Sequence, residues 1–183
     1  MKKISVIILI TMNLASVINA QNNEETSPKS WDFGMRVGYI NYDLRADKNN
    51  LKNGHGYYAG LFLEKHISEK WAFQLEANYN YSGFSTLHLP FLAKYNLSKK
   101  FQLYAGPQLD FSFEQNSFDD DYKNKRFGAS IVLGVQYNID SHWFIDARYN
   151  HGVTNQFPVF QGIDSPVDYG KKTSFNIGLG YRF

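Results

Sequence analysis

The 183 residues contain no cysteine, so no disulfide staples the fold and no lipid-modified N-terminal cysteine can anchor it. After the first twenty residues there is no long uninterrupted apolar run, which excludes a membrane-crossing helix. Charge of one sign is not in excess either. With Lys2 and Lys3 set aside as part of the leader described below, 17 basic residues stand against 17 acidic ones. The basic footprint that nucleic acid requires is therefore missing. Glycine-rich phosphate loops are absent, and His55, His66, His88, His142 and His151 show no metal-ligand spacing, so neither a cofactor nor a metal is expected.

What the chain does have is aromatic side chains. Phe, Trp and Tyr make up 17% of the residues, yet the mean hydropathy is negative. For a soluble domain these two values are at odds. A transmembrane β-barrel needs only alternation, because every second side chain faces lipid.

The leader is distinct. Lys2 and Lys3 precede the largely apolar run Ile4–Ile10, and the small residue Ala20 follows, which predicts a secretory signal over 1–20 cleaved before Gln21. Residues 21–30 are polar and aperiodic, a short periplasmic lead. The remainder, 31–183, reads as one barrel domain.

Eight segments of period two fill that domain: 31–42, 55–66, 70–82, 86–97, 100–113, 126–139, 142–153 and 174–183. In the last, Phe175, Ile177, Leu179, Tyr181 and Phe183 alternate with Ser174, Asn176, Gly178, Gly180 and Arg182. Ten such residues, rising ~3.3 Å each and tilted ~40°, cover about 25 Å, the height of an outer-membrane apolar band. Short polar connections (HISEK, NLSKK, NIDSH) alternate with mostly longer ones (RADKNNLKNGHG, SGFST, EQNSFDDDYKNK, TNQFPVFQGIDSPVDYGK). The expected fold is all-β: an eight-stranded antiparallel up-and-down transmembrane barrel with periplasmic turns and external loops.

A soluble lipocalin-like barrel has the same period with its polarity inverted in space. Three features favour lipid on the greasy face. Aromatics cluster at both of its ends, as two girdles. The polar face carries Gly34, Gly38, Gly60, Gly106, Gly128, Gly134, Gly178 and Gly180, which a narrow lumen accommodates and a solvated strand disfavours. The charges of that face balance, with Arg36, Lys94, Arg148 and Arg182 against Glu64, Glu76, Asp110 and Asp146. Unpaired charge in a confined lumen costs several kcal/mol, so these residues predict a polar plug, densest toward the short-turn end, in a barrel that is not an open pore.

The stretches GYYAGLFLEKHISEKWAFQLEANYNYSG (56–83), LHLPFLAKYNLSKKFQLYAGPQLDF (87–111), DARYNHGVTN (146–155) and LGYRF (179–183) resemble the PorT-like outer-membrane β-barrel family of Bacteroidetes. The resemblance implies an eight-stranded barrel in the outer membrane and no particular activity.

Catalysis is weighed because small barrels also host lipid A deacylases and acyltransferases. His66, Ser68 and Glu69 supply the residue types of a serine hydrolase but sit in a predicted turn, and His151 has no suitably spaced serine. Asp119, Asp120 and Asp121, beside Lys123, Lys125 and Arg126, lack the shaped loop that calcium needs and read as a solvated, lipopolysaccharide-contacting loop. The last long loop carries Phe157, Val159, Phe160, Ile163, Val167 and Tyr169, which either fold over the mouth or meet a protein partner. The expected reading is a monomeric, non-enzymatic barrel whose partners are outer-membrane lipid, lipopolysaccharide and the barrel-assembly machinery. A lipid-modifying enzyme and a soluble binder are the alternatives. The terminal Phe183 resembles the signal by which assembly machinery recognises its clients. Deleting Phe183 is expected to lower the yield of folded barrel, read as the heat-modifiable band of unboiled outer-membrane fractions.

Overall fold

The computed structural model describes residues 30–46, 50–113, 126–159 and 168–183. Its strands are β1 (Trp31–Ala46), β2 (Asn50–His66), β3 (Trp71–Tyr81), β4 (Ser85–Asn96), β5 (Phe101–Ser112), β6 (Phe127–Asn138), β7 (Trp143–Gly152), the short β8 (Phe157–Val159) and β9 (Asp168–Arg182). Each pairs antiparallel with the next through β7, β7 pairs with β9, and β9 pairs with β1. The ring of β1 to β7 and β9 is thus a closed eight-stranded barrel, leaving no edge for hydrocarbon to meet.

Burial confirms which face is which. Along β3 the pattern is strictly alternating, with Trp71, Phe73, Leu75 and Tyr79 exposed and Gln74, Glu76, Asn78 and Asn80 buried. The same inversion holds around the wall, from Met35 and Val37 through Leu103, Ile131 and Leu133 to Ile177 and Leu179, all apolar and outward. A water-soluble barrel would bury these side chains.

The short turns are three copies of one device. Ile67, Leu97 and Ile139 each donate a backbone N–H to the carbonyl four residues on, at Trp71, Phe101 and Trp143, each at 2.9 Å. The next residue supplies a side-chain acceptor for the returning strand: Ser68 Oγ to Trp71 N, Ser98 Oγ to Phe101 N, Asp140 Oδ1 to Trp143 N. The N–H groups of Trp143 and His142 on the Asp140 carboxylate hold its pKa below the usual value. Beside each turn the first residue of the returning strand pairs on the lipid side with an aromatic of the next strand in the ring, Trp71 with Tyr95 (centroids 4.9 Å), Phe101 with Tyr137 (5.0 Å) and Trp143 with Tyr181 (4.8 Å). These pairs form the girdle at that end.

The loop end differs from the expectation in three places. The predicted connection RADKNNLKNGHG is largely strand, because β1 and β2 stay in register to Ala46↔Asn50. Beyond the hydrocarbon, a ladder needs no apolar outer face, so its period vanishes from the sequence. Likewise β9 begins at Asp168, and residues 157–159 form an extra strand on its flank. The connection between β3 and β4 is only Ser82–Phe84, turned by Gly83 at φ 83°, a value that favours glycine. Of the last long loop, Phe157 folds into the mouth, buried with Ile40, Tyr42, Leu44 and Tyr58 and against Phe84. Phe160, Ile163 and Val167 lie outside the described residues, as do Asp119, Asp120 and Asp121.

Two prolines thin the wall. Pairing of β4 with β5 breaks off after Pro90↔Gln108 and resumes at Ala93↔Ala105 without change of register. Neither Pro90 nor Pro107 has an N–H to contribute.

Lumen glycines sit against rings. A Cβ at Gly34 would collide with Phe62, at Gly38 with Tyr58, at Gly134 with Tyr104 and at Gly180 with Phe144. The glycines make room for inward aromatics that an eight-stranded bore could not otherwise hold. Gly134→Val is therefore expected to destabilise the barrel by about 1–3 kcal/mol in denaturant titrations in micelles. Tyr104→Ala relieves the clash, so the double variant should lose less than the sum of the two single losses.

Candidate functional site in the lumen

Alternation delivers the charged side chains to the axis, and the stagger of the strands decides which of them meet. The centre is a cluster of two cations and two anions. Arg36 of β1 donates to both Glu76 oxygens of β3 (2.9 and 2.8 Å) and to both Asp146 oxygens of β7 (2.7 Å each). Arg148 of β7 donates to Glu76 at 2.9 and 3.1 Å and to Asp146 at 3.1 Å. In a ring of eight, β3 and β7 are diametrically opposed, so Arg148–Glu76 spans the bore.

Hydroxyls and amides complete the shell. Tyr58 accepts from Arg36 at 2.7 Å, and Tyr104 donates to Asp146 at 2.5 Å. Gln74 and Asn78 donate to Glu76 at 2.6 and 2.7 Å. Buried charge is tolerated when it is paired and its remaining lone pairs are filled, and here both conditions hold for the carboxylates.

A second tier lies nearer the short turns. Lys94 of β4 donates to Glu64 of β2 (2.6 Å), Gln74 of β3 (2.8 Å) and Gln136 of β6 (2.9 Å). Arg182 stands apart from these ion pairs, donating to Asn138 at 3.1 Å and lying 4.8 Å from the Phe144 ring centroid. Asp110 lies at the other end, bonded by Ser130 and by Gln108 (2.6 Å), with His88 at 3.6 Å. The structure therefore brings Arg36, Glu76, Asp146 and Arg148 into one group and Lys94 with Glu64 into another, and it separates Asp110 and Arg182 from both. Phe183 is exposed, stacks on Phe33 at 5.4 Å and donates its N–H to the Phe33 carbonyl at 2.9 Å.

Sequence reasoning missed two inward charges. Lys172 is buried near the mouth, its ammonium 4.7, 5.1 and 5.6 Å from the rings of Tyr42, Phe84 and Phe157. It shares the parity of Ser174 and Asn176, a signal hidden by counting it in a loop. Asp32 was overlooked beside its neighbour in space, His66. His66 is the last residue of β2, not a turn residue, and its Nε2 is 2.9 Å from Asp32 Oδ2. Ser68 Oγ accepts from Trp71 N at 3.1 Å.

The barrel fold is shared with known proteins. The family model described as outer membrane protein beta-barrel domain matches residues 10–183. The chain belongs to that family. Among solved structures, this barrel resembles the crystal structure of Ail, the attachment invasion locus protein of Yersinia pestis, in complex with the heparin analogue sucrose octasulfate. That match has a TM-score of 0.50 and 18% identity, covering 84% of this chain and 99% of Ail. The outer membrane protein OprG from Pseudomonas aeruginosa matches with a TM-score of 0.48 and 16% identity, over 87% of this chain and 99% of OprG. At these identities the likeness is one of fold. No curated protein matches the chain.

The central cluster makes a quantitative demand on this outer-membrane barrel. Glu76→Gln leaves two guanidinium groups facing one carboxylate in a dry bore, and is expected to lower the unfolding free energy by about 3–5 kcal/mol. Glu69→Gln, at an exposed turn, should change it by no more than about 0.5 kcal/mol. Urea titration of the refolded barrel in micelles or bilayers measures both.

Proposed function

We propose that this outer-membrane protein is a non-enzymatic barrel whose lumen is plugged by its own ion pairs and whose work is done by the surface it presents. The observation that carries the reading is the Arg36–Glu76–Arg148–Asp146 cluster, which joins β1, β3 and β7 across the bore. Every charge in it is committed to another. Nearer the mouth, the space between His88, Asp110, Asn150, Gln156, Lys172 and Ser174 is the size of about one water molecule. An ion crossing the barrel would have to break bonds at both levels.

Several readings from the sequence extend this proposal. Residues 1–20 are a signal removed on export. The chain belongs to the PorT-like group on the strength of 56–83, 87–111, 146–155 and 179–183. It assembles through machinery that reads the strand ending in Phe183 and stands as a monomer among lipid and lipopolysaccharide. Its external loops are the surface for a partner.

Planar-bilayer recordings test the plug. The wild-type barrel is expected to show no stable, large single-channel conductance. A variant that removes the whole cluster in balance, Arg36→Ala and Arg148→Ala with Glu76→Ala and Asp146→Ala, should admit current if it folds. Steady large conductance from the wild type would defeat the proposal.

A further inference from the structure

A trio of potential metal donors sits at the short-turn rim, apart from the central cluster. β1 and β2 are in register so that Asp32 lies opposite Glu64, and His66, two residues beyond Glu64, faces the same side. His66 Nε2 is 2.9 Å from Asp32 Oδ2 and 3.5 Å from Glu64 Oε1. One donor atom from each residue lies within 4.8 Å of the other two.

The second observation is an unmet demand. Glu64 is fully buried, and its Oε2 takes the Lys94 ammonium at 2.6 Å. Its Oε1, aimed at the imidazole, is buried and has no hydrogen-bond donor. A neutral imidazole has at most one N–H at Nε2, and the geometry gives that proton to Asp32. A buried carboxylate oxygen left over in this way costs free energy that a bound cation would recover.

We propose that Asp32, Glu64 and His66 form a binding site for a divalent transition metal of the zinc type. In a tetrahedral centre with metal–ligand bonds of about 2.0–2.1 Å, adjacent donor atoms stand roughly 3.3 Å apart, and the two measured separations bracket that value. One imidazole with two carboxylates is a donor set suited to zinc, with the fourth position left to water. Calcium would want six to eight oxygens, which the trio cannot supply. His66 and Asp32 are a quarter and a third exposed, so an ion can enter from the aqueous side, while Lys94 on the far oxygen holds the Glu64 carboxylate in place. Binding replaces the His66 N–H with the metal and gives Glu64 Oε1 its partner. It also ties the start of β1 to the end of β2, beside the seam where β1 closes on β9.

The test uses untagged, full-length mature barrel, refolded in detergent micelles and stripped with chelator. Titration with zinc chloride, followed by calorimetry, is expected to show one ion per chain and a raised thermal unfolding midpoint. Cobalt(II) should give the visible absorption of a four-coordinate centre. His66→Gln and Asp32→Asn alter rim residues, so both should keep heat-modifiable folding yet weaken zinc binding by about tenfold or more and abolish the cobalt bands. A wild type that takes up no zinc overturns the site. So does zinc affinity unchanged in either folded variant, because the ion would then be held elsewhere. Should a variant not fold, the wild-type cobalt spectrum decides alone, and six-coordinate absorption counts against the trio.

Discussion

The bond between Arg148 and Glu76 joins strands on opposite sides of the barrel, and most of the interior is arranged around making it possible. Hydrocarbon outside demands a closed ladder and an apolar outer face. Closure at eight strands then leaves a bore that side chains fill, so the polar groups alternation sends inward meet chiefly one another. The cluster of Arg36, Glu76, Asp146 and Arg148 does this, with Arg148 forked onto Glu76 and the two terminal nitrogens of Arg36 divided between Glu76 and Asp146. Tyr58 and Tyr104 belong to the same solution, since each buries a ring while its hydroxyl bonds a charge.

The rings and the glycines are two sides of one constraint. Phe62, Tyr58, Tyr104 and Phe144 occupy volume that facing glycines leave open. Phe144 is shared further, with Phe62 edge-on at 5.6 Å and with Lys94 and Arg182 at 5.9 and 4.8 Å from its centroid. The cations of the short-turn half are thus held by carboxylates, amides and ring faces together. Nearer the mouth the balance shifts to rings, where Lys172 is surrounded by Tyr42, Phe84 and Phe157.

How much of this could be read in advance depends on where the membrane is. Within the hydrocarbon, Phe73, Leu75 and Leu103 announce their face because lipid tolerates nothing else there, and the segments 70–82 and 100–113 lie within two residues of β3 and β5. Outside it the rule lapses. Residues 43–46 and 50–54 pair as regularly as any others, yet no periodicity marks them. Lys172 escaped notice for the same reason, since its outward neighbours Lys171 and Thr173 are no longer apolar. His66 was assigned to a turn because HISEK is polar, although its period places it inward with Glu64.

The sequence by itself determined the wall: period two, the aromatic girdles, the inward glycines and the inventory of lumen charges all follow from a local rule, that alternate side chains face opposite sides of a strand. Only the tertiary structure decided the pairings. That Arg36 reaches both Glu76 and Asp146, that Lys94 instead finds Glu64, and that Asp32 comes beside His66 depends on the stagger of strands around a closed ring. Stagger is a property of the whole circuit. No single strand carries it, because each local register must be compatible with the seam where β9 returns to β1.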